Sequence, residues 1–243
     1  MITKNIFKIH PLTYIVCLLF VFLGYFNLYL SFFIVLIIHE LGHIFFSLVF
    51  KWKIKQIIFM PLGLLLKFED NLNKPLIEEF IISIMGIIFQ LIFILFIHNN
   101  NLITASNIIL LFNIIPIYPL DGSKVLNIVL NKITNFKNSY FLTLIVSLFT
   151  IIIILSISLI NLSLLPVISM LPLLKNIIEL FCERNNVFIK FLLERYLYSF
   201  NFKRNIIIYN INDMKRDCYH YFYINNNKFS EKEMLKRYFN LKK

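Results

Sequence analysis

The sequence predicts an all-α membrane protein: six transmembrane helices, a short membrane-interface β-hairpin and a small cytoplasmic C-terminal tail. Three observations carry this. Of the 243 residues, 59% are hydrophobic and only 15% charged, where a soluble domain has about 25% charged residues. The apolar runs over residues 11–50, 80–97 and 141–174 match the roughly 20 residues a helix needs to cross hydrocarbon. Lysine and arginine, finally, are confined to alternate connections between the apolar stretches.

The run 11–50 is too long for one crossing. Gly24, Asn27 and Ser31 supply a turn-prone patch near its middle, so it divides into a helical hairpin. Further crossings fit residues 80–97, 106–117, 140–160 and 162–174; the fourth and sixth spans are short and carry Pro116, Pro166 and Pro172. Lys4 and Lys8 precede span one, and Lys51, Lys53, Lys55, Lys67 and Lys74 follow span two. Lys124, Lys132 and Lys137 follow span four, and Lys175 opens the region after span six. The connections around Asn27, from His98 to Ala105 and around Asn161 hold no Lys or Arg. Both termini are therefore expected in the cytoplasm.

Between spans two and three, the alternation of Lys51, Lys53 and Lys55, then Pro61-Leu62-Gly63 and another apolar run, reads as strand, turn and strand. Two readings stay open for this hairpin: a connector skimming the membrane, or an edge strand that receives a peptide. Residues 1–180 form the expected six-span domain and residues 181–243 a basic, aromatic and Asn-rich tail, marginal as a domain of its own.

The net charge of +11 would suggest nucleic acid in a soluble protein. Here the cations flank apolar runs instead of lining one polar face, so they report orientation and no direct nucleic-acid partner is expected. Cys17, Cys182 and Cys218 are odd in number and lack a C-x-x-C pair, which supports neither a disulfide framework nor a thiolate zinc cluster. The N-terminal MITKNIFKIH is followed by no A-x-A-like cleavage site and reads as the start of an uncleaved first helix.

Span two contains His39-Glu40-Leu41-Gly42-His43. Four-residue spacing on a helix puts both imidazoles on one face, within reach of one metal ion. Neutral imidazole suits zinc, and Glu40 is placed to take a proton from water whose pKa the metal lowers toward about 7. A chance match is disfavoured by location, because an acidic side chain near a span's centre costs about 2.5–3.5 kcal/mol on insertion scales. Zinc hydrolases usually need a third protein ligand, and the candidate is Asp121. In Asn113 to Gly122 the prolines break span four and Gly122 allows a turn. Alone, that stretch reads better as a loop ending in a solvated Asp. Depth favours the ligand: counting back from Lys51 at about 1.5 Å per residue puts His43 roughly 12 Å from the cytoplasmic end of span two, within reach of a loop at the same end of span four.

These two elements together resemble the site-2 proteases, intramembrane zinc metalloproteases with H-E-x-x-H in one helix and N-x-x-P…D-G in a later one. The resemblance covers Pro11 to about Leu180. It implies one zinc per chain on His39, His43 and Asp121, with Glu40 as catalytic base and Asn113 orienting the peptide. One departure is visible: Gly86-Ile87-Ile88-Phe89-Gln90 stands where many members have G-P-x-x-N, which puts the helix break and the amide contribution of span three in question. The compact architecture without a PDZ insertion resembles the sporulation subgroup. That resemblance implies a membrane-associated pro-sigma factor of the sigma K type as substrate, membrane-embedded inhibitory partners, and the mother-cell membrane around the forespore as location. The alternatives are a general site-2 protease trimming membrane-protein remnants or anti-sigma factors, and a non-catalytic metal-binding membrane protein.

Overall fold

The computed structural model describes residues 7–9, 11–60, 63–69, 72–161, 164–224 and 227–240. The chain divides into two compact units, residues 1–71 with 80–114 and residues 72–79 with 115–243.

In the first unit, β1 (Phe7–Ile9) leads into the helices α1 (Pro11–Phe22) and α2 (Phe26–Val49). The turn between the helices forms at Gly24, whose φ of 75° favours glycine; the backbone N–H groups of Gly24 and Tyr25 donate to the carbonyls of Val21 and Phe20. Asn27 and Ser31, expected in that turn, lie inside α2, where the Ser31 hydroxyl donates back to the Asn27 carbonyl at 2.9 Å. This intrahelical bond lets a polar residue sit within an apolar helix. On α2 the buried positions Ser31, Val35, His39, His43 and Ser47 recur every four residues, which makes one face of the helix the inner face. Val35 and Leu36 pack there against Ala105 and Ile109 of α4 (Asn100–Ile114).

The expected hairpin is β2 (Ile54–Met60) paired antiparallel with β3 (Gly63–Phe68); Pro61 and Leu62 of its turn lie outside the described residues. Trp52 stacks edge-on against Phe68 at 5.3 Å between ring centroids. β1 adds a third strand, parallel to β2, which becomes the middle strand of the order β1-β2-β3.

Three helices, α2, α3 (Leu76–Leu95) and α6 (Phe136–Ile160), are long and apolar enough to cross a membrane among the described residues. α1 and α4 are apolar but only 12 and 15 residues long, about 18 and 22 Å at 1.5 Å per residue. The fourth span was expected to start at Ser106. The helix starts at Asn100 because the Asn99 side chain accepts from the backbone N–H groups of Asn101 and Leu102, as an N-cap does.

In the second unit, α5 (Asp121–Ile133) and α6 precede α7 (Leu164–Leu197), which carries Pro172 within it. The sixth span was expected to end at Leu174, and residue 180 to end the membrane domain. α7 passes through both positions, since beyond Lys175 the sequence turns amphipathic and buries Ile177, Phe188, Phe191 and Leu192. The tail then folds as β4 (Arg204–Ile208), β5 (Cys218–Ile224), β6 (Asn227–Ser230) and α8 (Glu231–Asn240), with β5 central. Phe188, Phe191, Leu192, Met214, Phe222 and Leu235 form its core. At its polar centre, buried Arg195 donates to Asn73 Oδ1, the Cys218 and Lys215 carbonyls and Glu231. Asp217 accepts from the Leu76 N–H at the start of α3.

Candidate functional site

The two histidines of α2 are held by α3. His43 Nδ1 lies 2.7 Å from the Ile82 carbonyl, and a carbonyl oxygen only accepts, so Nδ1 carries the proton. His39 Nδ1 lies 3.0 Å from Gln90 Oε1. The Gln90 amide is oriented by its own nitrogen, which donates to the Ser106 carbonyl at 2.9 Å and to the Ser106 hydroxyl at 2.7 Å. Its oxygen therefore faces His39, whose Nδ1 is the donor. Both imidazoles in their neutral form thus turn Nε2 lone pairs inward, and these two atoms stand 3.1 Å apart. Two acceptors do not bond each other; a shared cation suits them.

α3 approaches this pair through Gly86. A Cβ there would overlap His43 Nε2 and come within 2.9 Å of His39 Nε2. Gly42 on α2 is equally confined, since its Cβ would lie 2.7 Å from the Met85 carbonyl carbon. The expected departure from G-P-x-x-N thus has a structural outcome. With Ile87 in place of proline, α3 runs unbroken from Leu76 to Leu95, and the amide of Gln90 is spent on a histidine. Motif reasoning met Gln90 only as a departure from the family pattern and missed Ser106; the signal for both was a polar residue within an apolar helix.

Asp121 is the first residue of α5. The chain turns into it over residues 115–120, which include a cis Tyr118-Pro119 bond. Gly122, expected to make that turn, is already in the first turn of the helix. Ser147 of α6 steadies the turn: its hydroxyl accepts from the Tyr118 N–H and lies 3.1 Å from the Pro116 carbonyl. The carboxylate pairs with Lys124 at 2.7 Å, one helical turn on. Asn113 lies in the last turn of α4, where its amide nitrogen donates to the Ile109 carbonyl at 3.1 Å.

His39 and His43 in the first unit and Asp121 in the second are all buried. Two imidazole nitrogens and one carboxylate oxygen are the donors zinc takes in hydrolase sites, where the fourth position is left to water or substrate. These donor types fit that ion. Glu40 is buried and next in sequence to His39.

Comparisons with known proteins agree with this chemistry. Residues 27–104, from the start of α2 into α4, match Peptidase family M50. The chain is 29% identical over 202 residues to Stage IV sporulation protein FB of Bacillus subtilis, covering 77% of this chain and 70% of that protein. It is 28% identical over 118 residues to a zinc metalloprotease of Methanocaldococcus jannaschii, covering 43% of this chain and 34% of that one. The fold is similar to the solved site-2 protease from Methanocaldococcus jannaschii, with a TM-score of 0.56 and 19% identity over 74% of this chain and 93% of that chain. Residues 27–104 are thus similar to peptidase family M50, and the fold is similar to that of a solved site-2 protease.

Proposed function

We propose that the protein hydrolyses a peptide bond of a membrane-associated pro-sigma factor, of the sigma K type, near the cytoplasmic membrane face during sporulation. His39, His43 and Asp121 hold one zinc per chain in this reading, Glu40 is the general base and Asn113 orients the substrate. The observation that carries it is the pair of Nε2 atoms 3.1 Å apart, with both Nδ1 atoms committed to oxygen acceptors. The similarity to a sporulation protein over 77% of the chain supports the choice of substrate.

When bound, zinc supplies Lewis acidity, polarising a carbonyl and acidifying water toward a pKa of about 7. Glu40 takes the proton of the attacking water and passes it to the leaving amine. A helical substrate hides its carbonyls in hydrogen bonds, so it must be extended locally. β2 has a neighbour on each side, which leaves β1 and β3 as the edges of the sheet among the described residues; β3, the longer of the two, receives a peptide by strand addition. Six crossings with both termini cytoplasmic, in the mother-cell membrane around the forespore, complete the proposal, with membrane-embedded proteins as its inhibitors. The confinement of Lys and Arg to alternate connections supports that topology.

Co-expression with a pro-sigma factor tests the reading through a size shift. Glu40→Gln keeps the side-chain shape and removes the base, so cleavage should fall roughly 10²- to 10⁴-fold while zinc and substrate are still bound. A Glu40→Gln protein that cleaves within a fewfold of the parent rules the mechanism out, and a parent that binds zinc but cleaves no substrate is better described as a metal carrier with no hydrolytic role.

A further inference from the structure

Outside the metal centre, the second unit contains a cavity of about 270 Å³ between the first turns of α6 and the middle of α7, lined by Lys137, Asn138, Phe141, Arg184 and Phe188 among others. Its chemistry is cationic and aromatic. Lys137 Nζ stands 5.6 Å from the centroid of the Phe188 ring, and the Arg184 guanidinium 5.4 Å from that of Phe141. Lys137 also donates to Asn212 Oδ1, and none of the described residues lining the cavity is acidic. The volume falls just below the roughly 300–1,000 Å³ of drug-sized ligand sites, which suits a small headgroup.

An apolar stripe runs from this cavity along α6, and two exposed apolar residues stand beyond it on α7. On α6, Leu142, Ile145, Phe149 and Ile152 are exposed at three- to four-residue spacing, directly beyond Asn138 and Phe141. On α7, Ile178 and Leu171 are exposed about two and four turns before Asn185, beside the exposed Lys175–Glu179 ion pair. An anion-selective end continuous with exposed apolar helix surface has the polarity of a lipid molecule, phosphate below and acyl chains above. Basic pockets between helices on the cytoplasmic side of a membrane are recognised by lipid headgroups.

The geometry points to a binding site for one anionic phospholipid, its phosphodiester between Lys137 and Arg184 and its chains along α6 and α7. This rests on the reading that α6 crosses the membrane with its N-terminal end at the cytoplasmic face. Phosphatidylcholine carries the same phosphodiester, but its choline meets the two cations unfavourably, so the site discriminates by net charge.

Native mass spectrometry of the full chain, purified in neutral detergent and titrated with phosphatidylglycerol, phosphatidylcholine or inorganic phosphate, tests the site. The parent should retain one phosphatidylglycerol in preference to phosphatidylcholine. Lys137→Gln/Arg184→Gln should bind it roughly 30-fold more weakly, about 5-fold for each cation removed. Removing two cations elsewhere, in Lys132→Gln/Lys175→Gln, should leave retention unchanged. Equal affinity in parent and Lys137→Gln/Arg184→Gln overturns the inference, as does equal retention of phosphatidylcholine. Inorganic phosphate displacing the lipid at equal concentration assigns the pocket to a free anion and also overturns it. Retention is read without a substrate, so this inference and the protease reading fail separately.

Discussion

The Nε2 atoms of His39 and His43 face each other across 3.1 Å, while the Nδ1 atoms are bound to Gln90 and the Ile82 carbonyl on α3. The pair is therefore pre-set for a cation before any ligand arrives. Metal analysis of the purified protein should find one zinc per chain, and His43→Ala should lose it. Full zinc occupancy in the double variant His39→Ala/His43→Ala would place the metal elsewhere.

Gln90 fixes both the ring orientation and the tautomer of His39, and Ser106 fixes Gln90. Replacing a partner of this kind costs about 10- to 100-fold in metal affinity. Gln90→Leu should therefore show zinc affinity reduced by that factor in a chelator competition. Ser106→Ala should have a smaller effect, since it removes the hydroxyl and leaves the backbone carbonyl acceptor in place. Unchanged zinc affinity in Gln90→Leu would mean that packing alone holds the ring.

The parts of this architecture that were legible in the sequence are those set by short-range pattern. The i,i+4 histidines, the Gly24 turn and the β2–β3 hairpin each depend on residues within one or two turns of each other. Pairings between distant segments left no such trace. β1 joins β2 across some 50 residues, β4 and β5 pair in parallel through a short irregular connection, and Arg195 organises the tail by reaching Asn73, 122 positions away. Gln90 was visible only as a departure from a family pattern; its partner on α2 is 51 residues distant. The helix runs past the expected end of span six for another reason. Hydropathy falls at Lys175 although the helix continues, because one face of α7 stays apolar as the other becomes polar.

Topology has its own test. Asn100 is exposed at the start of α4, in a connection free of Lys and Arg, so a cysteine introduced there should react with a membrane-impermeant reagent applied from outside the cell. Reaction from the cytoplasmic side alone would invert the threading of spans three and four.

The tail should lose stability in mild acid through His220. The Lys215 N–H donates to His220 Nε2 at 3.0 Å, so the ring proton sits on Nδ1, which donates to Glu231 at 2.9 Å. A second ring proton would point at that N–H group. Burial pushes the His220 pKa below its ordinary value of 6.5; the Glu231 carboxylate opposes this, and the Arg195 and Lys215 charges add to the depression. Between the folded value and 6.5, the unfolded chain takes up a proton that the folded chain refuses, so the stabilisation is complete above about pH 6.5 and is lost as pH falls. Glu231 acts with the same sign at lower pH. Burial raises its pKa, but the His220 hydrogen bond and the Arg195 charge outweigh that and hold it below 4.5. Hydrogen exchange of the β5 amides, corrected for intrinsic rates, should therefore show protection falling between about pH 7.5 and about pH 5.5. His220→Gln, which does not titrate, should flatten that dependence. Protection that rises on acidification, or a slope unchanged in His220→Gln, would assign the pH response to other groups.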